Sequence, residues 1–426
     1  MDMTLYVFLF FNLLWSTMAT QGCLLQLQSN LESLSHPIKN NILKPIPHED
    51  KTQENIRYLN VQWNPRQPWV IAAICGPLDQ STSSSIDNLL VSRATGLRMG
   101  RVMSKNIVWK TILEEDDYDP LIKGIKMKIS PEDFLSTALL WNVTGDMLAL
   151  NALRRDRSIP RIMQFKENGL NSLWVDDSSL KDIFVPRFWI TNSLEKRLKV
   201  CDNAQRCFFY KEGSGTWRPD PISDSSLFKQ QPGTVIKYLQ VNKEKIFGFV
   251  YIVDNIKRKY TFNVVVLDGA NVLPAQEYIF PSGQSNVQGI RQADISQNHG
   301  KDDYVIAYIL ESQHQRIFFQ RIQEGKLLSS SSVLDVEGLQ AVTWRPQRGD
   351  FLVGRINGED NEIILYQYQH NKDPLRIESW FLSQGTAHKM VRLSWSADGN
   401  YFSVVFDDGS LEIYEYPKPR HPTWDD

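Results

Sequence analysis

The sequence predicts an all-β protein, a single seven-bladed β-propeller closed by an N-terminal strand. Three observations lead there. A C-terminal segment reads as three short strands joined by tight turns, the same order of events recurs back along the chain, and equivalent strand ends fall about fifty residues apart.

The clearest copy spans residues 390–417, MVRLSWSADGNYFSVVFDDGSLEIYEYP. In its first strand Val391, Leu393 and Trp395 alternate with Arg392 and Ser394, the period of a pleated strand. Ser396-Ala397-Asp398-Gly399 supplies residues that tolerate left-handed backbone, so a turn is expected there. Tyr401 to Phe406 form the second strand, Asp407-Asp408-Gly409 the next hairpin, and Leu411 to Tyr416 the third strand.

This segment resembles a repeat of the WD40-like propeller superfamily, in which a strand ending in an aromatic residue is followed by a Ser-Pro-Asp-Gly-like turn. A second strand, an Asp-Gly turn and a strand ending in Trp-Asp complete that pattern. Tyr414-Glu415 stands where Trp-Asp would fall, and the Gly-His partner of that motif is absent from the sequence pattern, so the subfamily stays open. The resemblance implies a ring of blades used mainly for assembling other proteins.

Further copies begin at Leu339, Gly289, Val235, Val185, Leu135 and Ile56, each with apolar runs separated by polar turns. Their first strands end at Trp63, Trp141, Ile190, Val241, Ile295, Trp344 and Trp395, with separations of 78, 49, 51, 54, 49 and 51 residues. The wide first interval holds an insertion around residues 110–129. After Tyr416 three prolines, Pro417, Pro419 and Pro422, exclude an ordinary paired strand, so the last blade lacks its outer member. Residues 23–28, CLLQLQ, are expected to supply it, with Lys39 to Pro45 as the reserve.

The domain reading is therefore an apolar N-terminal segment over 1–22, a closing strand and linker over 23–55, the propeller over 56–417 and a polar tail over 418–426. Thr4 to Ala19 is short for a membrane span, and small residues follow it, as in a cleaved secretory signal. Against this, the preceding residues carry Asp2 and neither Lys nor Arg. Export to a secreted, periplasmic or secretory location is one expectation and a cytoplasmic chain the other. Membrane association follows only if the segment is uncleaved or lipidated.

The 426 residues carry 47 basic and 49 acidic side chains, a formal charge of −2, which removes the global basic footprint of a nucleic-acid binder. Four cysteines are too few for a disulfide-built fold. Cys201 and Cys207 flank the polar run DNAQR between two strand-like segments; the alternatives are a bond, if the chain is exported, or two buried thiols.

Scattered histidines give no zinc spacing, and the nucleophile elbow, phosphate loop and dinucleotide turn motifs are absent. No cofactor, metal or catalytic residue is expected. The four periodic tryptophans read as core anchors. The run Glu114, Glu115, Asp116, Asp117 and Asp119, followed by Lys123, Lys126 and Lys128, is either a partner-contact loop or a solvated excursion. Asn142-Val143-Thr144 is a glycosylation sequon expected in an exposed turn, relevant only in a eukaryotic secretory pathway. The function expected is a non-enzymatic protein-interaction scaffold. The alternatives are an exported TolB-like accessory or ligand-binding propeller and, third, a channel-centred enzyme.

Overall fold

The structure, a computed structural model, describes the strands and short turns between residues 42 and 417. Residues 1–41, 50–55, 78–95, 114–138, 174–184, 220–234, 280–289, 418–426 and several shorter connections lie outside the description. The described residues are all-β and form seven antiparallel sheets.

After a two-residue strand β1 (Ile42–Leu43), the first sheet comprises β2 (Ile56–Trp63), β3 (Val70–Pro77), β4 (Gly96–Val102) and β5 (Ile107–Leu113). The second holds β6 (Leu139–Trp141), β7 (Met147–Leu153), β8 (Ser158–Lys166) and β9 (Gly169–Leu173). The third has β10 (Val185–Thr191), β11 (Lys196–Cys201), β12 (Cys207–Lys211) and β13 (Trp217–Pro219). Five strands form the fourth: β14 (Val235–Gln240), β15 (Lys245–Asp254), β16 (Lys259–Asp268), β17 (Asn271–Val272) and β18 (Gln276–Ile279). The fifth is β19 (Ile290–Gln297), β20 (Asp303–Leu310), β21 (Arg316–Gln323) and β22 (Lys326–Asp335). The sixth is β23 (Leu339–Trp344), β24 (Asp350–Asn357), β25 (Asp360–Gln367) and β26 (Leu375–Leu382), with β1 on its outer edge. The seventh has three strands, β27 (Met390–Trp395), β28 (Tyr401–Phe406) and β29 (Leu411–Glu415).

Within each sheet consecutive strands pair as a meander, except that β18 pairs β16 beside β17 in the fourth sheet and β1 joins the sixth from far along the chain. The second strands explain how the sheets pack. Every residue of β20 is buried, as are Val70 to Cys75 and Phe402 to Phe406. A strand apolar on both faces needs cover on both faces, and the neighbouring sheets supply it. One core cluster joins Leu352, Ile363 and Trp380 of the sixth sheet to Leu393, Phe402 and Tyr414 of the seventh. Another joins Tyr58, Val61 and Ile71 of the first sheet to Val405, Leu411 and Ile413 of the seventh. First strands lie beside first strands: β2 beside β6, β6 beside β10, β10 beside β14, β19 beside β23, β23 beside β27 and β27 beside β2.

Trp344 and Trp395 hold equivalent places, each closing its first strand and each opposite a phenylalanine, Phe351 or Phe402, on the second. In the third sheet the anchor is Trp189, fully buried, whose indole donates to Leu140 O, rather than the expected Ile190. The expected insertion is also narrower than 110–129, since residues 110–113 complete β5.

Residues 23–28 lie outside the description, and the reserve segment behaves differently from expectation. Ile42–Leu43 joins β26 of the sixth sheet, while Ile46 N–H donates to Ile413 O of β29 at 2.8 Å. Leu43 packs on the core shared by the sixth and seventh sheets, and Ile46 on that shared by the seventh and first.

Candidate functional site

The register gives each sheet two ends. The lower end carries the turn between first and second strands; the upper end is where first strands begin. The lower turns are built by a polar residue just after the anchor tryptophan. Asn64 Oδ1 accepts from the backbone N–H groups of Arg66 and Gln67 at 2.9 Å, and Asn142 Oδ1 accepts from those of Asp146 and Met147. Ser396 Oγ accepts from Tyr401 N–H at 2.9 Å. These side chains mimic a backbone turn, which is why Asn and Ser recur here.

The same turns bind their neighbours. Asn64 Nδ2 donates to Gly145 O of the second sheet at 2.7 Å, and Gly145 has φ 69°, where a Cβ would stand 2.3 Å from Asn64 Oδ1. Asp146 pairs with Lys196 of the third sheet. Burial alone would raise that carboxyl, but hydrogen bonds from Lys196, Thr144 and Asn142 outweigh it and hold the group at about 2. Ser296 Oγ of the fifth sheet donates to Arg348 O of the sixth at 3.2 Å. Arg345 of the sixth lays its guanidinium 4.0 Å from the Tyr416 ring centroid and 5.3 Å from that of Trp395.

A second device runs along the first strands. The Trp141 indole donates to Gln62 O, the residue before Trp63, and the Trp189 indole donates to Leu140 O, the residue before Trp141. By the same rule the Trp63 indole donates to Ser394 O, the residue before Trp395, at 3.3 Å, and to Ser403 Oγ at 3.2 Å. Between the fifth and sixth sheets carboxamide and carboxylate replace indole. Gln292 exchanges two bonds with the Val342 backbone, and Asp294 accepts from Thr343 Oγ1 and Trp344 N–H. Burial raises the Asp294 carboxyl even against these donors. Among the described residues the indole N–H groups of Trp344 and Trp395 are buried and unpaired.

The upper end is stitched as well, Tyr58 N–H donating to Gly409 O at 2.7 Å and Asn361 Nδ2 to His388 O at 3.0 Å, and it carries longer connections. Pro77, Gly96 and Leu113 are all at the upper end of the first sheet by register, so residues 78–95 and 114–138 both leave from it. In the seventh sheet the upper hairpin brings His388 Nδ1 to 3.2 Å from Asp407 Oδ1 and Nε2 to 3.6 Å from Asp408 Oδ2. Sequence reasoning missed this contact, since 19 residues separate His388 from Asp407. The three side chains could each offer one ligand atom to a cation, the atoms lying within 4.8 Å of one another. Across the upper end of the sixth sheet Glu362, fully buried, is held by Arg355, Arg376 and Asn357.

Glu114, Glu115, Asp116, Asp117, Asp119, Lys123, Lys126 and Lys128 lie outside the described residues. Cys207 is disulfide-bonded, and its Cα partner across the β11–β12 pair is Cys201. Cys75 is a free, buried thiol pushed up to about 12 by burial, an inert packing residue. The exposed turn expected at Asn142 is not found: its side chain is fully buried, and Nδ2 donates to Thr144 Oγ1 at 2.8 Å and to Asp146 Oδ1 at 2.7 Å. The sequon had marked a polar turn, and the turn consumes the amide that a glycan would need.

No family model and no curated protein matches the chain. Similar solved structures include Hsv2 of Kluyveromyces lactis, 11% identical over 66% of this chain and 72% of that one, TM-score 0.41. The Dos1 propeller is 11% identical over 88% and 95%, TM-score 0.47. A proposed 6-phosphogluconolactonase of Bacteroides uniformis is 14% identical over 76% and 89%, TM-score 0.49.

Proposed function

We propose that the seven sheets are the blades of one closed WD40-like propeller and that the protein is a non-enzymatic scaffold, holding a protein partner at its upper end. The observation that carries this reading is the asymmetry of the two ends in their connections. Bonds join neighbouring sheets at both ends, but the two long connections of the first sheet, over 78–95 and 114–138, both start from its upper end. Binding segments displayed on a rigid frame are what such an arrangement serves. Closure is supported by the bonds from the seventh sheet to the first; the link between the fourth and fifth follows from their order. An N-terminal strand completes the ring, with residues 43–49 lying along its seam.

Deleting Glu114 to Lys128 tests the reading. Affinity purification with mass spectrometry from the native source should recover a partner with the full chain and lose it with the deletion, while the far-ultraviolet spectrum and melting stay unchanged. A partner retained at full strength removes that segment as the contact. Turnover of a small substrate, lost on changing a channel-facing polar residue without unfolding, overturns the non-enzymatic reading.

A second reading, an exported accessory propeller, is favoured by the oxidised Cys207 opposite Cys201 together with the apolar N-terminal segment. A mature N-terminus near Thr20 supports it; an intact Met1 on cytoplasmic protein overturns it.

A further inference from the structure

Residues 43–49 form a strap across the seam where the last sheet meets the first. It is anchored on the seventh sheet by Ile46 and on the first by two backbone bonds. Ile107 N–H donates to Pro47 O at 2.9 Å and Glu49 N–H to Ile107 O at 3.0 Å, which together make a parallel bridge between His48 and Ile107. The Trp109 indole donates to His48 Nδ1 at 2.9 Å, with the two rings stacked 6.0 Å apart.

That bond has a chemical requirement. An indole N–H only donates, so Nδ1 must present its lone pair and the imidazole must be the neutral tautomer with its proton on Nε2. A protonated ring donates from both nitrogens and cannot accept here. It would also place a cation against the Trp109 ring that already carries Arg98, whose guanidinium lies 5.9 Å from the ring centroid. We propose that His48 makes the strap a pH-sensitive latch on the seam, closed at neutral pH and released as the imidazole gains a proton.

The other groups around the latch do not account for such a release. On the first sheet Tyr58 is tilted against Trp109 and Cys75 is held neutral. Glu49 on the strap is exposed. On the seventh sheet Tyr414, which donates to Glu412, is raised by burial. Glu412 is also raised by burial, so the test must separate it from His48.

Hydrogen exchange, corrected for intrinsic rates, reads the latch at the amides of Ile46, Glu49 and Ile107. With the released histidine titrating near 6.5, the open strap gains about 30-fold between pH 7.5 and 5.0, so protection at these amides should fall by about that factor. Amides within β28 should not change. His48→Gln keeps an acceptor for Trp109 without a titrating ring and should hold the protection constant over the same range. An equal fall in His48→Gln assigns the effect to Glu412 or another group and overturns the proposal, as does unchanged protection in the natural chain. Nitrogen chemical shifts of His48 in the natural chain give a second decision that needs no variant. A neutral ring bearing its proton on Nδ1 at pH 7.5 overturns the latch.

Discussion

Replacing Trp63 by Phe removes the indole that joins the first sheet to the last while leaving an aromatic ring in the core. The structure supplies its own control, because Trp395 occupies the equivalent position, is buried to the same degree, and has no partner for its N–H. Both substitutions lose the packing of the second ring, and Trp395→Phe also weakens the Arg345 contact 5.3 Å over that ring, which narrows the difference between them. Trp63→Phe also loses donation to Ser394 O and Ser403 Oγ, while those two groups keep their bond to each other at 3.3 Å. A buried hydrogen bond contributes about 1 kcal/mol net, and leaving a buried donor unpaired costs about 1–3 kcal/mol. Trp395→Phe removes an unpaired donor and is offset by that relief. Trp63→Phe should therefore be the more destabilising by about 2 kcal/mol. Urea unfolding at equal slope measures the difference. Equal losses, or a larger loss at Trp395, would refute the argument that the indole bonds fasten successive sheets.

Three further outcomes follow from the turns. Gly338 has φ 70° and a Cβ there would meet Ile356 O at 2.1 Å, so Gly338→Ala should cost about 2–3 kcal/mol in the same assay; a neutral result contradicts the backbone geometry. Asp146 is depressed from 3.8 to about 2, so its contribution is complete above pH 3.8 and disappears as pH falls toward 2. Discounted for a third exposure it is worth about 1–2 kcal/mol, and Lys196→Met should remove much of it at pH 7 while flattening the acid limb of the stability profile; an unaltered limb refutes the assignment. Expressed through a eukaryotic secretory pathway, the chain should carry no glycan at Asn142, read as no mass change at that peptide on glycanase treatment.

The strand frame was legible because its signals are local. Alternation around Val391, Leu393 and Trp395, and Asp-Gly turns with positive φ at Gly399 and Gly409, specify a meander without reference to anything distant. What the sequence hid depends on partners far along the chain. Trp63 and Ser394 are 331 residues apart, and nothing in either neighbourhood announces the other. The anchor of β10 is Trp189 and not Ile190, a one-residue difference that an interval of about fifty residues does not resolve. Asn142 shows the opposite error: a motif read as a modification site is a turn residue whose amide is already spent. The strap was not foreseen: the closing strand was expected at 23–28, outside the described residues, and the reserve segment 39–45 overlaps the strap only at its start. Pro45 and Pro47 interrupt it, and it bonds Ile413 and then Ile107 in place of pairing along one strand.

Whether the seven sheets close into one ring of blades, as proposed, is decided by an experimental structure of the purified chain. The expected result is seven sheets around one axis, with the Trp63 indole within hydrogen-bond reach of Ser394 O and Trp344 and Trp395 at equivalent buried positions. Six blades, a gap between the first and last sheets, or tryptophans in unlike environments would contradict it.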